Sequence, residues 1–122
     1  METETAFGDF PISGSCATID GTTKVPIYEL TPGSDGSYTL QAAIIAWKVG
    51  GGGARYFLQM NWTVIDGVIA VDGSVFSSAN GSLSPVGLAV DTSAGKGRVL
   101  VTGIDGEPLL WRLRGVRFDL AA

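Results

Sequence analysis

The feature that most constrains the fold is an alternation of apolar and polar residues over residues 84–120. Apolar residues recur at every second position in residues 86–90 and 99–101, and a longer run covers residues 109–118. The runs are separated by short segments that are rich in Asp and Gly. A period of two with turn residues between the runs is typical of antiparallel strands that bury one face. We therefore expect this stretch to form the C-terminal half of a β-sandwich, with the rest of the chain supplying its partner strands.

The N-terminal part of the chain shows the same alternation. Its strand candidates are residues 13–19, 22–30, 37–49, 55–66 and 68–76. No segment has the 3.6-residue period of an amphipathic helix. Regularly spaced short strands with turn signals between them are typical of sandwiches and jelly rolls. The predicted fold class is all-β, a single antiparallel β-sandwich that is jelly-roll-like and has about eight strands.

Turn residues refine this prediction. Asp20-Gly21 and Asp66-Gly67 each separate two extended runs, and Asp-Gly is a strong hairpin or turn signal. Pro26 places the second run at a sheet edge, because proline cannot donate to a central strand. Asp72-Gly73 predicts a bulge or tight turn within its run, and residues 77–82 are predicted to be a loop.

The 122 residues suffice for one domain and not two. Residues 1–12 are acidic and aperiodic, and they are predicted to form an extended N-terminal arm that precedes a β-sandwich domain over residues 13–122. Phe7 and Phe10 are spaced aromatics that an arm can dock on its own body or on a neighbour, and the alternative is a frayed terminus. The arm has no apolar core of signal-peptide length, so assembly in a cytoplasm is the expected default.

Composition indicates a protein that binds other protein. Hydrophobic residues make up 45% of the chain and charged residues only 16%, which favours an apolar or small-residue surface that meets a partner over a neutral solvated exterior. The net charge is −4 and no basic patch is present, so nucleic-acid binding is not expected. Residues 1–40 are acidic, whereas Arg112, Arg114 and Arg117 lie near the C-terminus. This asymmetry suits contact between copies or between arm and body, unless it is ordinary solvated charge.

The chain lacks the residues that most enzymes and metal sites use. It has no His and a single Cys, Cys16, which excludes Ser-His-Asp and Cys-His constellations and the usual zinc ligand sets. A carboxylate pair that acts on a sugar is the remaining catalytic option. The candidate carboxylates sit in Gly-rich turns, where Asp bends the backbone: Asp66, Asp72, Asp91 and Asp105. We expect no enzyme activity, no cofactor and no metal, and no run approaches transmembrane length.

Three tryptophans are the main candidates for core and contact positions. Trp62 falls on the apolar face of its run and is predicted to be in the core. Trp47 lies near a strand end and is the best candidate for a contact surface. The alternative is a carbohydrate-binding platform that uses exposed Trp47 or Tyr56.

The order of these segments resembles a known family. The chain reads GSCATIDGTTKVPIYELTPGSDGSYTLQAAIIAW, a glycine-rich turn, ARYFLQMNW, and finally LAVDTSAGKGRVLVTGIDGEPLLWRLRGV. Over residues 14–118 it is similar to a β-sandwich module of tailed-bacteriophage virion proteins, often tail-fibre or tail proteins. The closing elements of that family correspond here to Asp91-Thr92, Gly97, Val101-Thr102-Gly103 and Leu110-Trp111-Arg112. The family has no catalytic residues to carry over.

The resemblance implies a structural protein of the phage virion, assembled in the host cytoplasm. A tail fibre needs an anchoring segment and a stalk, so one compact module with an arm favours a capsid decoration (cement) protein that stabilises the head on the major capsid protein or other virion proteins. The alternatives are a tail-fibre or tail-tip subunit in host adsorption, and a module that binds cell-surface glycan. A homotrimer is expected from the resemblance, with Phe57 and Ile65 as apolar outer positions. The predicted partner-contact residues are Phe7, Phe10, Trp47, Phe57, Arg112 and Arg114.

Overall fold

The computed structural model describes residues 7–79, 83 and 86–121, which form two packed antiparallel sheets. The strands are β1 (Phe7–Thr18), β2 (Val25–Leu30), β3 (Gly36–Lys48), β4 (Gly53–Ile65), β5 (Val68–Ala79), β6 (Gly87–Ser93), β7 (Lys96–Thr102) and β8 (Leu109–Ala121). The larger sheet has the order β1-β8-β3-β4-β5, and the smaller has the order β2-β7-β6. The predicted all-β sandwich with about eight strands is confirmed.

The core lies between the two sheets. Even-numbered residues of β3 and β4 point into it because side chains alternate along a strand. The small sheet contributes Ile27, Leu30, Val99 and Val101 to the same cluster. Trp62 has no exposed surface, so its predicted place in the core is confirmed.

The polar groups of three buried aromatic side chains, Tyr56, Trp62 and Trp111, each donate a hydrogen bond. Trp62 Nε1 donates to the carbonyl oxygen of Asp91 at 3.3 Å, and Trp111 Nε1 donates to Thr18 Oγ1 at 2.9 Å. The Tyr56 ring stacks on Trp111, and its hydroxyl donates to the carbonyl oxygen of Val86 at 2.6 Å. Tyr56 is only 5% exposed. The expectation that Tyr56 could serve as an exposed sugar platform is therefore wrong, because its even position in β4 turns the ring inward.

The predicted hairpin at Asp66-Gly67 and the predicted bulge are present, and β3 and β4 form a further hairpin. β3 pairs with β4, and β4 pairs with β5 through the turn at Asp66 and Gly67, whose φ angles are 52° and 78°. The Asp35 carboxylate accepts hydrogen bonds from both turn N–H groups, at 2.6 and 3.0 Å. The β4–β5 register shifts between Met60 and Trp62, opposite the predicted Asp72-Gly73 bulge. β5 runs on to Ala79, so residues 77–79 are strand and not the predicted loop.

The Asp20-Gly21 turn does not form a hairpin. Its Asp20 carboxylate accepts hydrogen bonds from the Thr22 and Thr23 N–H groups, at 3.0 and 2.6 Å. These bonds bend the chain between β1 in the large sheet and β2 in the small one. Of the two predicted alternatives, a hairpin or a turn, the structure has the turn, because the bend leads from one sheet to the other.

The C-terminal stretch also divides between the sheets. β6 and β7 pair in the small sheet, whereas β8 lies in the large sheet between β1 and β3. The expectation that residues 84–120 form one half of the sandwich is therefore wrong. The chain crosses at residues 103–108, where the N–H of Gly103 donates to the Asp20 carbonyl oxygen at 3.1 Å.

The start of the chain differs from the predicted arm. Residues 7–12, assigned to the arm from sequence, form the first half of β1 and pair with the far end of β8. Strand pairing extends this far because β8 runs on to Ala121 and offers its backbone groups to β1 along this length. Residues 1–6 of the predicted arm lie outside the described residues.

The β6–β7 hairpin contains an ion pair that gives a pH-dependent prediction. Arg98 donates to both carboxylate oxygens of Asp91, at 2.9 and 2.8 Å, and this hydrogen bonding holds the pKa of Asp91 below its usual value near 3.8. A lowered folded-state pKa stabilises the fold above the unfolded pKa, and this contribution is lost as the pH falls through the folded pKa. Asp91→Asn is expected to lower the melting temperature slightly near neutral pH, since exposed pairs contribute little.

The measurement is thermal unfolding of both proteins across an acid titration. The difference between wild type and Asp91→Asn should begin to shrink as the pH falls towards 3.8, vanish once the pH is below the lowered folded-state pKa, and also shrink in high salt, which screens exposed charges. A difference that stays constant down to strong acid would contradict the assignment.

Candidate functional site

The side of the large sheet that faces away from the small sheet carries most of the exposed large side chains. Odd-numbered residues of β3 and β4 and even-numbered residues of β8 point to this side, because their alternates fill the core. We define the outer face by eight exposed residues: Ile45, Trp47, Arg55, Phe57, Val75, Leu110, Arg112 and Arg114.

Strand register brings these residues together. Ile45 lies between Arg112 on β8 and Arg55 on β4, and Arg114 lies in the next row with Phe57. Because strands are about 4.8 Å apart and alternate residues about 7 Å apart, the three arginines form a triangle with sides of about 7–12 Å. The positive charge is therefore concentrated in the middle of the sheet.

One end of the outer face is apolar. Trp47 of β3 pairs with Leu110 of β8, and Ile45 lies two residues before Trp47 on β3. Each of these side chains is 52% exposed. Together with Ser15 and Ala17 of β1 they line an open groove. A second groove further along is lined by Phe57, Val75 and Arg114, among others.

The outer-face arginines have no carboxylate partner among the described residues. The ion pairs in that part of the chain are Lys48–Glu107, Lys96–Glu29, Arg98–Asp91 and Arg117–Asp119. A surface that combines exposed Trp, Phe and Arg with few carboxylates has the composition of protein–protein interface cores. The outer face therefore offers aromatic rings that can stack on a partner and positive charges that can pair with a partner's carboxylates.

The structure unites four of the six predicted contact residues and separates the other two. Trp47, Phe57, Arg112 and Arg114 share the outer face. The Phe10 ring lies under the Arg117 guanidinium, 5.0 Å from ring centroid to Cζ. Arg117 also donates to the Tyr28 hydroxyl of the small sheet, at 3.0 Å. Phe10 therefore lies on the face of the large sheet that is turned towards the small sheet, opposite to the outer face.

The backbone of Phe7 pairs with Leu120, at the opposite end of β8 from Arg112. Sequence reasoning did not name Ile45, Arg55 and Leu110 as contact residues. The alternation along each strand could have found them, since they lie an even number of residues from Trp47, Phe57 and Arg112, respectively. The contact role of all six predicted residues stays a prediction.

Within residues 7–79, 83 and 86–121, no three His, Cys, Asp or Glu residues lie close enough together to hold a metal ion. The same residues include no helix of sufficient length and apolarity to span a membrane. Cys16 is partly buried beside the apolar groove, and burial raises the pKa of its thiol. A raised pKa keeps this thiol protonated and weakly nucleophilic.

Two of the solved structures that match this chain are phage tailspike proteins. The Acinetobacter baumannii phage AM24 tailspike superposes with a TM-score of 0.53 at 11% identity, covering 98% of this chain and 27% of that one. The Acinetobacter phage vB_ApiP_P1 tailspike gives a TM-score of 0.47 at 14% identity, covering 88% and 22%. This chain thus spans about a quarter of the length of the AM24 protein. No protein-family model matches the sequence, and no curated protein matches it significantly. The AM24 likeness shows that the sandwich is a fold that occurs within a tailspike.

Proposed function

We propose that this protein is a structural module of a bacteriophage tail that attaches to another virion protein through the outer face. The observation that carries the proposal is the exposed face itself, which places Trp47, Phe57 and Arg112 on one side of a rigid sheet. Its fold also occurs in part of a phage tailspike. That likeness favours the tail alternative over the capsid decoration protein that the sequence first indicated.

The dimensions of the large sheet match this role. Five strands at about 4.8 Å spacing give a sheet roughly 20 Å wide, and its 13-residue strands are about 40 Å long. A standard interface buries about 800 Å² per partner, of which a few aromatic and Arg residues supply most of the binding free energy. Trp47 and Arg112 are the expected anchors, since both line the apolar groove.

The first test is the position of the protein in the virion. Particles labelled with an antibody against this chain and viewed by electron microscopy should carry the label on the tail. Label on the head shell would support capsid decoration instead, and particles without any label would contradict a virion role.

The second test is incorporation of surface variants. A phage that lacks the gene is complemented with Trp47→Ala/Arg112→Ala, and the copy number in purified virions is measured by mass spectrometry. Loss of two interface anchors should weaken attachment by ~30-fold or more, equivalent to about 2 kcal/mol. Ile19→Ala is the matched control, because Ile19 is 67% exposed and lies outside the outer face. Equal incorporation of both proteins would contradict the proposed surface.

A second candidate function is glycan binding at Trp47. The observation that favours it is an indole that is 52% exposed beside Arg112 and an open groove. Trp62 and Trp111 are buried, so a ligand that stacks on the surface should change the fluorescence of Trp47 selectively. Titration with host cell-surface oligosaccharides should quench wild type and not Trp47→Phe. Unchanged emission across a glycan panel would eliminate this candidate.

A further inference from the structure

The second surface that stands out is the free edge of the large sheet at β5. This strand spans Val68–Ala79 and pairs only with β4, so no described strand bonds to the backbone groups on its other side. Natural sheets protect such edges with proline, lysine, bulges or very short strands. An unprotected edge is a template for pairing with another strand.

The two edges of the large sheet differ in protection. β1, at the opposite edge, contains Pro11, which has no N–H to donate. In β5 the bulge at Asp72-Gly73 interrupts the first part of the strand. Beyond the bulge, residues 74–79 contain no proline and no charged residue. This second part of β5 is the unprotected edge.

The same segment exposes apolar side chains on both of its faces. Val75 is 71% exposed on the outer face, next to Phe57 at 58%. Phe76, on the other side of the strand, is 42% exposed. A solvated edge strand needs an apolar residue on only one face, the one packed on the core. Apolar groups on both faces indicate that a neighbour covers the strand from the side.

We infer that a second copy of this chain pairs with residues 74–79 of β5 about a twofold axis, so that two large sheets join into one. Directly opposite residues of an antiparallel pair point to the same face of the sheet. The twofold axis must therefore pass through a residue pair and not between two pairs, so that one residue lies opposite its own copy. A centre at Phe76 places Phe76 opposite Phe76 of the second copy and Val75 opposite Ser77. Aromatic cross-strand pairs are favourable, and this register brings no like charges together.

A second copy fits this edge better than it fits the outer face. Packing two outer faces together would bring Arg55, Arg112 and Arg114 of one copy against the same residues of the other, which is repulsive. Pairing through β5 instead keeps both outer faces free and on the same side of the joined sheet. Two linked faces raise the avidity for a repeated partner surface without any new contact. The inference does not depend on the function proposed above.

The test is a cross-link at the predicted centre. Opposite Cα atoms in an antiparallel pair are about 4.5–5.5 Å apart, within the range of about 4.4–6.8 Å for a disulfide. Phe76→Cys is therefore expected to form a covalent pair under mild oxidation, seen on a non-reducing gel. Val68→Cys is the matched control, because Val68 is 69% exposed on the same strand but about 50 Å from its own copy in this register. Cys16 is present in wild type and in both variants, and wild type gives its baseline.

A second measurement covers the case in which the cysteine variant misfolds. Sedimentation of wild type should show a two-copy mass at micromolar concentration, and Val75→Lys should raise the dissociation constant at least tenfold. Ile45→Lys, which disturbs the outer face alone, should leave the mass unchanged. A single-copy mass for wild type, or cross-linking of Phe76→Cys no faster than Val68→Cys, would overturn the inference. A three-copy mass would overturn it as well and would support the trimer expected from the sequence.

Discussion

Trp62→Ala is expected to lower the free energy of unfolding by about 3–5 kcal/mol. Trp62 has no exposed surface and lies on β4, with its indole packed over Gly97 of β7. A Cβ on Gly97 would come within 2.5 Å of Trp62 Cε2, so the two sheets meet at this contact. The change leaves a cavity between the sheets and removes the donor to the Asp91 carbonyl oxygen. Since domains are stable by only about 5–15 kcal/mol, this change should remove a large part of the free energy of unfolding.

The measurement is urea unfolding followed by circular dichroism. Trp47→Ala is the matched control, because the same side chain is 52% exposed there and surface changes usually alter stability by less than about 0.5 kcal/mol. Equal losses from the two variants would show that Trp62 does not hold the sheets together.

Gly115→Ala is expected to cost about 3 kcal/mol, at the upper end of the range for overpacking. Gly115 lies on β8 opposite Ala42 of β3, and both face the core. An added Cβ would collide with the Gln41 carbonyl oxygen and lie 2.6 Å from the Ala42 Cα. Backbone cannot rotate away as a side chain can. Because β8 pairs with β1 on one side and β3 on the other, any shift disturbs both ladders.

Gly33→Ala is the matched control for this glycine. A Cβ there would meet nothing within 4 Å, so the same chemical change lacks the collision. Removing a glycine from a loop whose backbone suits alanine changes stability by less than about 1 kcal/mol, in the stabilising direction. Equal melting temperatures for the two variants would contradict the close approach of β3 and β8.

Part of the candidate site follows from sequence. The alternation in β3 and β4 places Trp47 and Phe57 away from the core whichever strands pair with them. That argument does not bring Trp47 beside Leu110 or Arg112, which are more than sixty positions away in the chain. Only the β3–β8 register makes these residues neighbours. Phe10 is a second example, since sequence assigned it to an arm and only the β1–β8 register brings its ring under Arg117.

By itself the sequence determined the all-β class, the approximate strand positions and the residues that point inward. These properties are local, because the two-residue period of a strand and the bends at Asp-Gly depend on neighbouring residues alone. The tertiary structure decided the partners. It placed β8 between β1 and β3, divided residues 84–120 between two sheets, and made residues 7–12 part of a strand. Pairing between distant strands depends on which apolar faces can be buried together, and the alternation within one strand is the same for every partner.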